Sequence, residues 1–269
     1  MSSRLVTALA LVVLGSAAFV ARPIAQQPAT ATVSASIALT TQANGFADRG
    51  DVVVWLSPVG AEARPRPATG RRYKIDQLQK RFQPHVLVVP VGASVDFPNL
   101  DPVFHNVFSL FDGKRFDLGL YEAGTSRSVS FTRQGVCYVF CNIHPEMSAV
   151  VVVVDTPYYA VSNAAGALSI ADVPPGRYRL SVWHERFKPA DAAEFPKEVT
   201  IGSGAVALGS LRFVEGSRVT AAHKNKFGHD YLPPPAGSPA YPYPTARKKS
   251  RPRTAGSFCQ CCVSAQRGQ

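Results

Sequence analysis

This 269-residue chain is short of helical periodicity, haem-attachment motifs and long apolar runs, and each shortage removes a class of protein. No stretch repeats apolar residues at a helical period for long, so helical architectures are set aside. None of the five cysteines stands in a Cys-x-x-Cys-His pattern, which excludes a covalent c-type haem. Beyond the first twenty-five residues no apolar run reaches the length of a membrane span. Acidic residues are also scarce, 18 against 29 basic ones, for a formal charge of +11. That excess is unevenly placed. Residues 26–214 hold eighteen Lys or Arg and sixteen Asp or Glu, residues 215–269 hold nine and two, and the leader adds Arg4 and Arg22. The body is therefore nearly neutral. It carries no basic patch interleaved with aromatics, so nucleic acid is excluded as a partner.

The two ends read differently from the body. Residues 1–25 combine a basic start, "MSSR", with the apolar run "LVTALALVVLGSAAFV" and small residues suited to cleavage after Ala18, Ala21 or Ala25. This is the pattern of a signal peptide, and it implies export, to the periplasm, with no membrane span left in the mature chain. Residues 216–269 are rich in Pro, Ser and Arg and poor in branched apolar residues. Such a basic tail cannot bury enough surface to offset its ordering entropy and is expected to be disordered. Its Cys259, Cys261 and Cys262 could capture a soft metal or form disulfides.

Between residues 30 and 215 short runs rich in Val, Phe, Tyr and Ile alternate with Gly, Pro, Asn and Asp. Fourteen candidate strands follow, and the fold class is all-β. So many strands exceed one small sandwich and suit two. Seven of them fall within a unit spanning 78–155. Only five follow, in 156–215, which is thin for a sandwich with two covered faces. Two more lie in 30–60, ahead of the Pro- and Arg-rich "EARPRPATGRRYK". The favoured arrangement pairs those two with the later five, so that 78–155 is inserted into a discontinuous second sandwich. The alternative adds them to the edge of the first unit.

The chemistry concentrates in "GVCYVFCNIHPEM", residues 135–147. Cys141, His144 and Met147 form Cys-x-x-His-x-x-Met, which puts a thiolate, an imidazole and a thioether on one short loop. Donors this soft suit copper far better than calcium or magnesium. A mononuclear site with a long axial thioether also needs a second imidazole. His105 stands in "FPNLDPVFHNVF", where a turn rich in Asn, Asp and Pro gives way to a strand. It precedes Cys141 by 36 residues, enough for several antiparallel strands to return it to the loop. A lone histidine in such a place is ordinarily hydrogen-bonded or exposed; the loop downstream is what makes this one a ligand candidate.

The stretch from about 80 to 155 resembles the cupredoxins, of the plastocyanin and amicyanin kind. The likeness is carried by "FQPHVLVVPVGASVDFPNLDPVFHNV" and "FTRQGVCYVFCNIHPEM", with Phe131, with Gly135 six places before Cys141, and with the pair His105 and Asn106. The short Cys-x-x-His-Pro-x-Met loop is similar to that of amicyanin. More narrowly, residues 30 to about 235 resemble exported cupredoxin-containing proteins labelled as methylamine-utilisation proteins. The resemblance implies a Greek-key sandwich or barrel holding one copper that cycles between Cu(II) and Cu(I). His105, Cys141 and His144 would be its equatorial ligands and Met147 the weak axial one. Asn106 would tie the two ligand loops together by hydrogen bonds. His144 would reach the surface as the port for electrons. The implied partner is a redox protein such as a c-type cytochrome or a periplasmic oxidoreductase.

Other residues are read on their own terms. Cys137 replaces an aromatic common at that place in cupredoxins. In an extended strand it lies about 13 Å from Cys141, beyond the roughly 7 Å between Cα atoms that a disulfide allows. It is expected as a small core residue, with a disulfide to the tail as the alternative. His85, at the head of a strand, is read as a surface residue or as part of an accessory metal site. "NAAGALSIADVPPGRYRLSVWHE" resembles the carboxypeptidase-regulatory or transthyretin-like sandwich, and "ATVSASIALTTQANGFADRGDVVVWLSP" resembles its first two strands. His184 and Glu185, adjacent on a strand, would point to opposite faces. No nucleophile, base and oxyanion donor assemble, and no His-x-His pair offers a second copper centre, so the chain is read as no enzyme. An electron carrier is the leading function. A copper carrier or sensor without electron transfer is the alternative.

Overall fold

The computed structural model describes residues 29–40, 49–60, 71–110, 114–187, 195–214, 216 and 223–231. The expected signal peptide and the three tail cysteines lie outside the described residues. Among the described residues the secondary structure is all-β, with no helix. The fourteen candidate strands are present as β1 (Ala31–Thr40), β2 (Val53–Pro58), β6 (Val86–Pro90), β7 (Ser94–Pro98), β8 (His105–Ser109), β9 (Phe116–Tyr121), β10 (Ser126–Ser130), β11 (Gly135–Phe140), β12 (Ser148–Val154), β13 (Tyr159–Val161), β14 (Ala167–Val173), β15 (Gly176–Trp183), β16 (Lys197–Ile201) and β17 (Gly204–Val214). Three short strands were not foreseen: β3 (Tyr73–Lys74), β4 (Asp76–Leu78) and β5 (Arg81–Gln83). At two or three residues each, they are too short to display a period of two.

Four larger sheets enclose three apolar cores. The first sheet runs β14-β1-β17 and the second β13-β2-β15-β16. Both strands ahead of residue 60 thus pair with strands beyond residue 157. In β1, Ala31, Val33, Ala35 and Ile37 are buried while Thr32, Ser34 and Ser36 are exposed, the alternation of a half-covered strand. Those buried residues meet Val54, Leu56, Leu180 and Phe213 in one core between the two sheets. The third sheet, β6-β12-β11-β8-β9, carries the metal-ligand candidates, and the fourth, β10-β7-β3, covers its far side. The core between them holds Val95, Phe97, Val107, Phe131, Val139, Cys141 and Met147.

The valine run 150–154 explains how the two halves join. Val151 and Val153 enter the core that contains Cys141. Val150, Val152 and Val154 face the other way, meeting Val53, Val86 and Val88 in a third core. Buried on both faces, β12 has no reason to alternate with polar residues, and it does not. Burial of each such valine contributes roughly 1.5–3 kcal/mol. Val152→Asp would place a charge between the second and third sheets and break the junction.

Candidate metal centre

Two segments of the third sheet deliver the donor atoms. His105 opens β8, a strand whose five residues are all buried. Cys141 follows directly on β11, and Met147 directly precedes β12, so the intervening loop is the connection of one antiparallel hairpin. The Met147 amide donates to the His144 carbonyl at 3.1 Å, with Pro145 as the second residue of that turn. The Cys141 amide donates to the Met147 carbonyl at 3.2 Å and closes the loop. β11 also pairs with β8 through Phe140 and Phe108, which holds His105 beside the loop.

Within this frame His105 Nδ1 lies 3.1 Å from His144 Nδ1, and Cys141 Sγ lies 3.6 Å from His144 Nδ1. The three donor atoms all fall within 4.8 Å of one another, and all three residues are buried. Separations of this size suit a single ion with bonds of about 2.0 Å to nitrogen and about 2.3 Å to sulfur. Two imidazoles and one thiolate form the trigonal donor set of a type 1 copper site. Met147 is wholly buried in the same core as Cys141, at the end of the same loop.

Electrostatics prepare the donors unequally. Burial lowers the pKa of His105, against the opposing pull of Asp101. Burial, together with His105 and Lys80, pushes His144 down to about 4. Both imidazoles are therefore neutral near pH 7, as metal ligands must be. Burial pushes the Cys141 thiol up, while the amides of Asn106, Ile143 and His144 oppose it. The thiol holds its proton until a cation displaces it.

Asp101, which sequence reasoning did not single out, orients the first histidine. His105 Nε2 donates to Asp101 Oδ2 at 2.8 Å, which leaves the Nδ1 lone pair facing the site. The same carboxylate accepts the amides of Gln79 at 2.6 Å and Lys80 at 2.7 Å. Those two residues form the β4–β5 turn, both in the left-handed region at φ 55° and 53°. Burial raises the Asp101 pKa, but the bonds from Lys80, His105 and Gln79 outweigh it and hold the group below the usual carboxylate range. A carboxylate four residues before the candidate histidine, in a turn marked by Asn and Pro, was the available signal.

The remaining candidates take definite places. Asn106 ties the ligand segments through its backbone, whose N–H donates to Cys141 Sγ at 3.5 Å. Its side chain instead donates to Asp117 on β9, at 2.7 Å. His85 stands apart from the donor cluster: Nδ1 bonds the Ser148 carbonyl at 3.1 Å and Nε2 the Glu185 carboxylate at 2.9 Å. Cys137 is a free, buried thiol, 3.3 Å from Ser109 Oγ, and burial raises its pKa to about 11. His144 is only 5% exposed, so it is covered rather than standing at the surface as expected. The premise about His184 and Glu185 is also corrected: β15 ends at Trp183, and both residues lie beyond it, buried. Strand parity therefore does not govern where they point. Residues 223–231, expected within the disordered tail, pack against the ligand loop.

No protein-family model matches the chain, and no curated protein matches it. Among solved structures it is similar to a purple cupredoxin from Nitrosopumilus maritimus, at 26% identity and TM-score 0.28, over 30% of this chain and 99% of that one. It is similar to a Cu-containing nitrite reductase (NirK) from Thermus scotoductus SA-01, at 24% identity and TM-score 0.31. That match covers 36% of this chain and 25% of the reductase, so the chain spans about a quarter of its length. It is also similar to a mutant of amicyanin in its Cu(I) form, at 23% identity and TM-score 0.30, over 38% of this chain and 98% of that one.

Proposed function

We propose that this chain is an exported electron carrier in which His105, Cys141 and His144 hold one copper ion, with Met147 as a weak axial donor. The observation that carries the reading is the convergence of His105 Nδ1, Cys141 Sγ and His144 Nδ1 in a buried, preformed site. Copper bound there supplies a one-electron Cu(II)/Cu(I) couple. The chain's own residues supply rigidity. Asp101 fixes the His105 ring, the Asn106 amide supports the sulfur, and the closed hairpin fixes His144. Donors held this way move little when the charge of the site changes, which favours fast electron exchange.

Phe104, beside His105, and Leu120, registered opposite Asn106, are each 52% exposed and give electrons an apolar exit next to the site. The partner in this reading is a redox protein such as a c-type cytochrome or a periplasmic oxidoreductase. In this reading the strands of 30–60 and 156–215 form a transthyretin-like scaffold into which the copper unit of 78–155 is inserted, and the whole is close to the methylamine-utilisation proteins the sequence resembles. The strand pairing across residues 60 and 157 supports that division.

The test is one spectrum. Protein loaded with Cu(II) should be blue or green through thiolate-to-copper charge transfer and should bleach reversibly upon reduction. A colourless protein with stoichiometric Cu(II), or a preference for zinc, would overturn the reading. Loss of the metal upon reduction would favour the carrier or sensor.

A further inference from the structure

We infer that residues 223–231 form a latch that is part of the metal centre, with Lys226 and Tyr231 as its positioning residues; the inference rests on the copper reading above. The segment is a compact loop whose ends meet, since the His223 and Tyr231 rings pack edge to face with centroids 5.3 Å apart. It is braced internally. Asn225 Oδ1 accepts the amides of Phe227 at 3.0 Å and His229 at 3.1 Å, and the Asn225 amide donates to the His229 carbonyl at 2.9 Å. The turn passes through Gly228 at φ 79°, a conformation open to glycine at little cost.

This loop grips three consecutive residues at the thiolate end of the ligand hairpin. The His223 ring stacks on Phe140, with centroids 4.0 Å apart and planes inclined by 19°. The Tyr231 hydroxyl donates to the Cys141 carbonyl at 2.7 Å. The Lys226 amide donates to Asn142 Oδ1 at 2.9 Å. Lys226 then reaches the other ligand segment, because its Nζ donates to Asp117 Oδ2 at 2.6 Å while Asp117 Oδ1 accepts from Asn106 Nδ2 at 2.7 Å. A closed circuit results: Cys141 Sγ, the Asn106 amide, the Asn106 side chain, Asp117, Lys226, Asn142 and back to Cys141. Both ligand-bearing segments are thereby fastened to one external clamp.

A cleft of about 250 Å³, lined by Phe108, Leu110, Phe140 and His223 among others, separates part of the latch from the sheet. Its hold therefore depends on the named ties more than on continuous packing. A loose latch would let residues 140–142 move, and the sulfur with them. Groups that orient metal ligands in this way typically change metal affinity by about 10- to 100-fold when removed.

The experiment uses the full chain carrying Lys226→Met together with Tyr231→Phe, with Lys226→Arg as the conservative variant. Three quantities are read: the charge-transfer band of the Cu(II) protein, copper retention against a chelator, and site-mapped iodoacetamide alkylation of Cys141 in the metal-free protein. The double variant should shift the band, retain copper about tenfold less well, and alkylate Cys141 several-fold faster while Cys137 is unchanged. Lys226→Arg should stay close to the unsubstituted protein. Unchanged Cys141 alkylation, or equal acceleration at Cys137, would overturn the latch. If the unsubstituted protein shows no charge-transfer band, the electron-carrier reading fails, and the alkylation result alone still decides the latch.

Discussion

Removing the Asp101 carboxylate should separate metal affinity from fold stability in a way that depends on the replacement. Asp101 accepts three N–H groups, from Gln79, Lys80 and His105. In Asp101→Ala all three lose their acceptor. The two turn amides can turn to water, but His105 is wholly buried and its Nε2–H cannot. A hydrogen bond to a charged group contributes about 1.5–3 kcal/mol, so the three bonds together amount to about 4.5–9 kcal/mol, less what water returns to the two turn amides in the alanine variant. The turn loses its anchor as well, although two residues in the left-handed region cost roughly 1–2 kcal/mol each. Asp101→Asn behaves differently. With its amide oxygen at the Oδ2 place it keeps the bonds to Lys80 and His105 and forfeits only the one to Gln79. Its cost should be about 1.5–3 kcal/mol, with the His105 ring still correctly turned. Copper affinity should therefore fall by about 10- to 100-fold in the alanine variant and much less in asparagine. Chelator competition measures the affinity, and thermal unfolding of the metal-free protein measures the stability. Equal loss of affinity in the two variants, or none in alanine, would refute the assignment of Asp101 as the residue that orients His105.

Cys141→Ser should abolish the charge-transfer band, because a hydroxyl cannot replace the soft thiolate; Met147→Leu should keep copper and raise the potential, as read by redox titration. The pKa of His85 is raised, first by its hydrogen bond to Glu185 and against the effect of burial. A raised folded-state pKa stabilises fully below the unfolded value of 6.5 and is lost as pH climbs through the folded value, so the melting temperature should fall as pH rises above 6.5. That fall should be smaller in His85→Gln, and an identical profile would dismiss the pair as a contributor. Deleting residues 236–269 should leave melting and copper binding unchanged, because their composition offers no face to bury; a large drop in melting temperature would argue that the segment docks.

The all-β class was legible in the chain, and the candidate donors could be named from it, because both rest largely on local signals. Strands of five or more residues show their period or their β-branched content, as β1 and β12 do, and three of the donor candidates share one seven-residue loop. The strand pairing that closes the second core was legible only as a preference, drawn from counting strands. Features that join residues far apart in the chain emerge only on folding. The Val150–Val154 run could be read as strand, but only the stacked sheets show that its two faces serve different cores. Asp101 is an ordinary turn residue until β4 and β5 bring the Gln79 and Lys80 amides to it, and those strands are too short to be seen beforehand. The placement of His184 and Glu185 turned on where β15 ends. Residues 223–231 read as tail because composition averages over a window, whereas docking is settled by single contacts such as Tyr231 with Cys141. Local chemistry is written in neighbouring letters; the hydrogen bonds that orient it join residues whose proximity only the folded chain creates.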